Sequence, residues 1–410
     1  MIEIVEHKLP NGLKVVFNRN RSSQLAVVNM AYTVGARNEQ PGKTGLAHFL
    51  EHLMFTGTFD VPSFDELLQS AGGESNAWTN NDLTNFYDVL PVNNLEVAIA
   101  LEADRMCGLR LDDKSFESQK SVVVEEFKQR CLNVPYGNQE HLLRDLAYKV
   151  HPYRWPTIGQ TVDDVQGITK DDVKYYYNNY YVPSGAVLSI VADADADEVL
   201  SMVERPFVDI AKTGTDKRPY SPEPEQQEAR RLVTRQNVPY RRIVRAYHMG
   251  DRLCADYAEC DILSDVLSNG RSSRLYRNVL AKGDLVSAID ASITANQDAG
   301  ILKIQASLLP GVDFDKVEAA IDSEIEQMLD DVTIDEIKKC INKYESNALF
   351  SNLTIEERAS NMAQCCILGD VNMINTEIDK YQAVTCRSFV ESAQKLLRTS
   401  NSSTLYYDVD

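Results

Sequence analysis

The stretch from Gly45 to Phe55, which has the sequence GLAHFLEHLMF, constrains this chain more than any other. It contains no proline, and its apolar residues recur at helical spacing, which predicts a helix. Residues four apart on a helix share one face, with Cβ atoms about 5–6 Å apart, so the imidazoles of His48 and His52 can converge on one ion. Glu51, three residues after His48, flanks the same face. The stretch therefore predicts a helix with a metal-binding face.

The residue types of this H-x-x-E-H pentad suit hydrolysis at a metal ion. Neutral imidazole is a good ligand for Zn²⁺, and a carboxylate that is not a ligand can take a proton from water at the metal, whose pKa falls to about 7. We predict that His48 and His52 bind zinc and that Glu51 is the general base. The order of the residues is that of the inverzincin metallopeptidases. The alternative is a buried helix whose histidines only form hydrogen bonds, but burying this glutamate without a metal or a partner is costly.

A hydrolytic zinc site takes three protein ligands and leaves a fourth position for water, so the two histidines need one more ligand. The helical pattern from Asp113 to Gln129 carries an acidic pair, Glu125 and Glu126, within the apolar sequence VVVEEF. One of these two carboxylates is the best candidate, because most other acidic residues lie on polar faces. Spacing does not decide between them, and a solvated acidic face is the alternative interpretation of the pair.

Length and charge bound the domain count and the classes of partner. A chain of 410 residues is too long for one ordinary core and predicts two domains. The formal net charge of −19 argues against nucleic acid and anionic membrane surfaces as partners. It suits cationic or neutral peptides, although solubility alone also explains such a charge.

The composition shifts to Lys, Pro, Gln and Glu between residues 205 and 231, which predicts an interdomain linker. We predict an N-terminal zinc-binding catalytic domain at 1–210, a linker at 211–232 and a related C-terminal domain at 233–410. The second half repeats the order of strand, polar loop, helix and Gly turn but has no second H-x-x-E-H pentad.

The eight cysteines include no C-x-x-C pair and predict reduced thiols. No signal peptide is evident, and no apolar run approaches the length of about 18 residues that a membrane span needs. A cytoplasmic location follows by default, although a removed leader would leave the same sequence.

The stretch from Glu74 to Leu90 predicts two extended pieces around a polar bend. Such a hairpin can offer an edge strand to which a peptide adds by backbone hydrogen bonds. The alternative is a plain hairpin capped by Asn and Thr, which the composition alone favours.

Together these features resemble the insulinase/pitrilysin family of inverzincin peptidases, in the short-chain branch that includes mitochondrial processing peptidase. The resemblance is dense from about residue 9 to 200 and looser beyond. It is carried by Asn11-Gly12-Leu13, Gly45 to Thr58, Ala71 to Tyr87, Val122 to Phe127, His151-Pro152-Tyr153 and, more loosely, Gly270 to Leu275.

The resemblance implies an α+β fold with two structurally related domains, each a mixed, mainly antiparallel sheet with helices packed on one side. It implies one zinc ion held by both histidines and a distant glutamate, which by the match is Glu126, with Glu125 as the fallback. It also implies that Asn76 and Ala77 lie on the strand that holds the scissile peptide. The implied activity is zinc-dependent hydrolysis of peptides or unfolded polypeptide segments.

The sequence departs from this family at two positions. Active members similar to this chain carry an Arg and, seven residues on, a Tyr after the Gly turn of the second half, where this chain has Leu280 and Ser287. Either another group takes their place, or a partner chain supplies the pair, in a homodimer or in a heterodimer with a paralogue as in heterodimers of this branch. We predict that this chain is the metal-bearing subunit. The competing class is a non-catalytic scaffold or assembly subunit with a retained metal site.

Overall fold

The computed structural model describes residues 1–58, 60–211, 213–214 and 219–409. Internal contacts divide the chain into two compact units. Unit 1 comprises Met1–Gln129, Trp155–Tyr220 and Ala348–Thr376, and unit 2 comprises Arg130–Arg154, Ser221–Asn347 and Glu377–Asp410.

The units differ from a simple division into two halves. Residues 130–154 belong to the unit formed mainly by the second half, and residues 348–376 belong to the unit formed mainly by the first half. The two compact units thus have other bounds than the domains predicted at 1–210 and 233–410, and those domain limits stay a prediction. Of the predicted linker at 211–232, residues 212 and 215–218 lie outside the described residues.

The described residues form the following strands and α-helices. The strands are β1 (Val5–Lys8), β2 (Lys14–Arg19), β3 (Leu25–Tyr32), β4 (Glu74–Thr79), β5 (Thr84–Pro91), β6 (Ala186–Ala192), β7 (Arg230–Gln236), β8 (Arg242–His248), β9 (Val286–Ile293), β10 (Ile301–Leu308) and β11 (Ser402–Val409). The helices are α1 (Leu46–Met54), α2 (Phe64–Ser70), α3 (Leu95–Cys107), α4 (Asp113–Phe127), α5 (Gln139–Ala147), α6 (Val162–Gln166), α7 (Lys170–Tyr180), α8 (Ala196–Phe207), α9 (Tyr257–Ser268), α10 (Phe314–Asp331), α11 (Ile334–Ser351), α12 (Ile355–Ile367), α13 (Met373–Gln382) and α14 (Cys386–Leu396).

Each unit is built on one mixed sheet. The six-stranded sheet of unit 1 has the order β1-β2-β6-β3-β5-β4, and the five-stranded sheet of unit 2 has the order β7-β11-β8-β10-β9. In unit 1 only β2 and β6 are parallel, and in unit 2 only β7 and β11 are parallel, among the strands that the structure describes. The predicted α+β class with two mixed, mainly antiparallel sheets is confirmed.

The prediction that helices pack on one side of each sheet is incomplete. In unit 1 most helices cover one face, but Ile355 and Met362 of α12 pack against Val16, Val27 and Val187 on the opposite face. Strand β6 is buried along its whole length for this reason, since a strand covered on both faces needs apolar residues at successive positions.

Unit 2 has the same arrangement. Leu143 and Ala147 of α5 pack against Val244 of β8 and Leu405 of β11, on the face opposite the main helical layer. The helices α12 and α5 lie in the two segments that depart from the predicted domain limits. The position of neither helix on its sheet could be predicted from local sequence pattern, because the strands it packs against lie far away along the chain.

No helix within the described residues combines the length and apolar character that crossing a bilayer demands. The cytoplasmic location expected from the sequence stays a prediction.

Candidate metal centre

Helix α1 forms as predicted and carries the H-x-x-E-H pentad in unit 1. It begins after Gly45, whose φ of 88° lies in the left-handed region that glycine adopts without strain. His48, Glu51 and His52 stay partly exposed on the remaining face of the helix. Its apolar face is buried in the core through Leu46, Phe49, Leu50, Leu53 and Met54.

A buried carboxylate holds the first turn of α1. The two carboxylate oxygens of Glu39 accept hydrogen bonds from the backbone N–H of Gly45 at 2.9 Å and of Ala47 at 2.8 Å. Burial raises the pKa of Glu39 to about 8, although these two donors act in the opposite direction. The contact fixes the backbone next to His48. The sequence analysis missed Glu39, because an acidic residue in a polar loop gives no signal of such a role.

Two imidazoles and one carboxylate converge beside α1. The Nε2 atoms of His48 and His52 are 3.2 Å apart, and Oε2 of Glu126 lies 3.7 Å from the first and 3.5 Å from the second. One ligand atom from each residue lies within 4.8 Å of the others. Tetrahedral zinc with ligands at about 2.0–2.1 Å separates its ligand atoms by roughly 3.3 Å, so these three atoms fit the ion.

The exposure of these side chains suits a catalytic rather than a closed site. The side chains are 13% exposed for His48, 25% for His52 and 19% for Glu126. A structural zinc site closes all four positions with protein ligands, whereas a hydrolytic one keeps a position open. Partial exposure of all three side chains shows that solvent reaches this group of residues.

The packing of α4 against α1 separates the two adjacent glutamates. Phe49 of α1 packs edge-on against Phe116 of α4, with ring centroids 5.4 Å apart. Glu126 then points to the histidines, while Glu125 is 61% exposed and forms an ion pair with Lys128. The structure thus brings together His48, His52 and Glu126 and leaves Glu125 outside the group.

Glu51 is held by the neighbouring hairpin. The hydroxyl of Thr79, the last residue of β4, donates a hydrogen bond to Oε2 of Glu51. Glu51 is not part of the three-residue group that can hold a metal. The role of Glu51 as general base stays a prediction. The sequence analysis did not identify Thr79.

Strand β4 lies at the edge of its sheet, with β5 as its neighbour. Asn76 and Ala77 are on this strand, and the N–H of Ala77 donates to Oδ1 of the Asn76 side chain at 2.8 Å. Glu74, Asn76 and Tyr87 line a cavity of about 470 Å³ beside the strand. The roles of Asn76 and Ala77 in holding a peptide stay predictions.

Leu280 and Ser287, the two positions at which the sequence differs from similar active members of the family, lie in unit 2. Leu280 ends a π-helical turn that begins at Tyr276, and Ser287 lies on β9, where its hydroxyl donates to the carbonyl of Ser307 at 3.3 Å. The guanidinium of Arg274, six residues before Leu280, forms ion pairs with Asp331 and Glu336. That arginine is consequently committed to contacts within its own unit.

Two family models together match most of this chain. Residues 14–159 match the family model described as Insulinase (Peptidase family M16), and residues 167–344 match that described as Peptidase M16 inactive domain. The chain belongs to the insulinase family. The first match contains the pentad and both glutamates of α4, and the second covers most of the region that lacks the pentad.

Relatives of this insulinase-family chain include named zinc proteases. It is 28% identical over 406 residues to the zinc protease PqqE of Helicobacter pylori, covering 97% of this chain and 91% of that protein. It is 26% identical over 213 residues to a probable mitochondrial-processing peptidase subunit beta of Arabidopsis thaliana, covering 50% of this chain and 39% of that protein. The crystal structure of a protease from Helicobacter pylori matches all of both chains with a TM-score of 0.93 at 27% identity.

Proposed function

We propose that this chain is a zinc-dependent endopeptidase that hydrolyses peptides or unfolded polypeptide segments. His48, His52 and Glu126 hold one Zn²⁺ ion per chain, and Glu51 is the general base. The convergence of these three ligand atoms, with the Glu51 carboxylate beside them, is the observation that carries the proposal. The names of the relatives, which are zinc proteases, support the same metal.

The zinc ion, when bound, supplies a Lewis acid that lowers the pKa of water and polarises a peptide carbonyl. Glu51 takes a proton from the attacking water and passes it to the leaving amine. His48 and His52 bind as neutral imidazoles, because protonation would remove the lone pair that each Nε2 offers. Strand β4 lies at the edge of its sheet and can add the backbone of an extended peptide, so extended peptides rather than folded proteins are the proposed substrates.

A pair of glutamine substitutions tests the ligand set. Glu126→Gln is expected to weaken zinc binding by more than about 100-fold. Losing a residue that only hydrogen-bonds to a zinc ligand already costs up to about 100-fold in affinity, and Glu126 is proposed to bind the ion directly. Glu125→Gln makes the same chemical change at the adjacent residue. It is expected to leave zinc content and cleavage unchanged, because the Glu125 carboxylate forms an ion pair with Lys128. Zinc content by mass spectrometry and cleavage of a quenched peptide library measure both effects.

The wild-type protein provides the reference for this pair. Treatment with a chelator should abolish its cleavage of the library, and added zinc should restore it. Equal zinc affinity in the two variants contradicts the assignment of Glu126. Wild-type cleavage that survives complete removal of the metal contradicts the proposed function as a whole.

We further propose that this chain is the metal-bearing subunit of a two-chain enzyme. Leu280 and Ser287 offer neither a guanidinium nor a phenol at the positions where similar active members carry Arg and Tyr. The alternative, a non-catalytic scaffold or assembly subunit, is favoured by the same two residues and opposed by the intact pentad. The naming of one relative as a subunit fits a multi-chain enzyme.

The partner proposal predicts weak cleavage by the isolated chain and a rise when a paralogue is added. Library cleavage is measured for this chain alone, for a neighbouring paralogue alone and for an equimolar mixture, with a His48→Ala chain in the mixture as the control. Full activity of the isolated chain rejects the need for a second chain. A zinc-loaded mixture that assembles but cleaves nothing favours the scaffold alternative.

A further inference from the structure

The contact between Thr79 and Glu51 joins two elements with different proposed roles. Thr79 is the last residue of β4, the edge strand, and Glu51 is on α1 between the two histidines. Its hydroxyl donates to one oxygen of the Glu51 carboxylate. Hydrogen bonds to an ionised carboxylate are shorter and about twice as strong as those between neutral groups, so this contact orients the carboxylate.

A second hydroxyl lies behind the first. Oγ1 of Thr79 is 3.4 Å from Oγ1 of Thr84, its partner across the hairpin. Thr84 is fully buried and donates its own hydrogen to the carbonyl of Val34 at 3.1 Å. Because a hydroxyl has one hydrogen and two acceptor lone pairs, Thr79 has a choice of two acceptors, Glu51 and Thr84.

We propose that Thr79 is a positioning residue for Glu51, whose carboxylate it holds in one orientation through this hydrogen bond. The inference rests on the proposed function of Glu51 as general base. It adds that β4, the strand carrying Asn76 and Ala77, also holds the base, so that one strand aligns both the substrate backbone and the base. A purely structural hydrogen bond between helix and hairpin is the competing interpretation.

The test compares three substitutions in the zinc-loaded protein. Thr79→Val removes the hydroxyl at nearly constant volume and is expected to lower kcat by about 10–100-fold with KM within about twofold, because misplacing a catalytic group by about 1 Å costs up to about 100-fold. Thr79→Ser keeps the hydroxyl and should retain most of the kcat. Thr33→Val is the matched control, since it removes a hydroxyl that donates to the carbonyl of Gly185 elsewhere in unit 1, and it should leave kcat unchanged.

The contact can also be tested without catalysis, by measuring the melting temperature of the metal-free protein. Thr79→Val is expected to lower the melting temperature of the wild-type chain by more than that of a Glu51→Ala chain, in which only the acceptor Thr84 of the two remains. Equal shifts in both backgrounds overturn the inference, because the hydroxyl would then stabilise something other than Glu51.

The kinetic outcomes are equally decisive. An active wild type with unchanged kcat in Thr79→Val overturns the inference and leaves the proposed function standing. Equal losses in Thr79→Val and Thr79→Ser also overturn it, because the hydroxyl would not be the cause. A zinc-loaded wild type that cleaves nothing, alone or with a partner, instead removes the proposed function on which the inference rests.

Discussion

Replacing Glu51 with glutamine is expected to lower kcat by about 10²–10⁴-fold while leaving bound zinc unchanged, since general-base catalysis contributes that much. The amide oxygen can still accept the hydrogen bond from Thr79, so the fold of the site should persist. An amide cannot take up the proton at neutral pH, which removes the base alone. Zinc content and single-turnover cleavage of one quenched peptide, measured on the same preparation, separate the two effects.

The matched control is a ligand on the same helix. His48→Ala removes one of the three converging ligand atoms and is expected to lose both the metal and the activity. The two variants thus share the loss of cleavage and differ in zinc content. If Glu51→Gln loses zinc as His48→Ala does, Glu51 is a ligand rather than the base. If Glu51→Gln retains cleavage near that of the wild type, another group takes the proton.

The metal helix could be predicted because its signal is local. The apolar residues of α1 recur at helical spacing, and the same spacing sets His48 and His52 on one face, so both the element and two of its functional groups follow from a short stretch. The third group could not be chosen from spacing alone. Glu125 and Glu126 are adjacent on α4, and only the way α4 packs against α1 decides that Glu126 meets the histidines.

Contacts between distant elements escaped the sequence analysis for the same reason. Thr79 and Glu51 are 28 residues apart and meet only after the hairpin docks on α1. The polar stretch that contains Thr79 favoured a plain hairpin by composition, although the structure places its first strand at the sheet edge. Glu39 precedes α1 in the chain, and nothing local marks its contacts with the first turn of that helix. In each case a polar residue acts through a partner that local pattern cannot identify.

Buried charge is the other feature that pattern analysis misses, because charged residues in a helix are normally placed on its exposed face. Arg105 of α3 is 2% exposed, and its Nε lies 3.1 Å from the Glu102 carboxylate, which is fully buried. Its guanidinium also donates to the carbonyl of Met54, the last residue of α1, at 3.4 Å. The guanidinium carbon lies 5.3, 4.6 and 4.5 Å from the ring centroids of Phe55, Phe64 and Phe86.

Arg105→Met is expected to destabilise the protein by about 3–5 kcal/mol, because removing one partner of a buried ion pair leaves the other charge uncompensated. Methionine fills part of the space between the aromatic rings but offers neither the cation nor the donor to Met54. Denaturant unfolding of both proteins, followed by circular dichroism, measures the difference. Arg387→Met is the matched control, because that arginine is 88% exposed beside Glu391 and its loss should cause no measurable shift.

The pH dependence of this loss follows from the two carboxyl groups near Arg105. Burial raises the pKa of both Asp88 and Glu102, whereas the Arg105 charge lowers both. A carboxyl whose pKa is raised in the folded state contributes stability below its unfolded pKa of about 4, and that contribution is lost as the pH rises through the folded value. Without Arg105 the folded pKa values of both carboxyl groups rise further, so the melting temperature of Arg105→Met should fall further below that of the wild type at pH 8 than at pH 5.

Adding Glu102→Gln to Arg105→Met removes one of these charges and should recover part of the lost melting temperature at pH 8. If Arg105→Met instead lowers the melting temperature equally at both pH values, packing rather than charge makes Arg105 necessary.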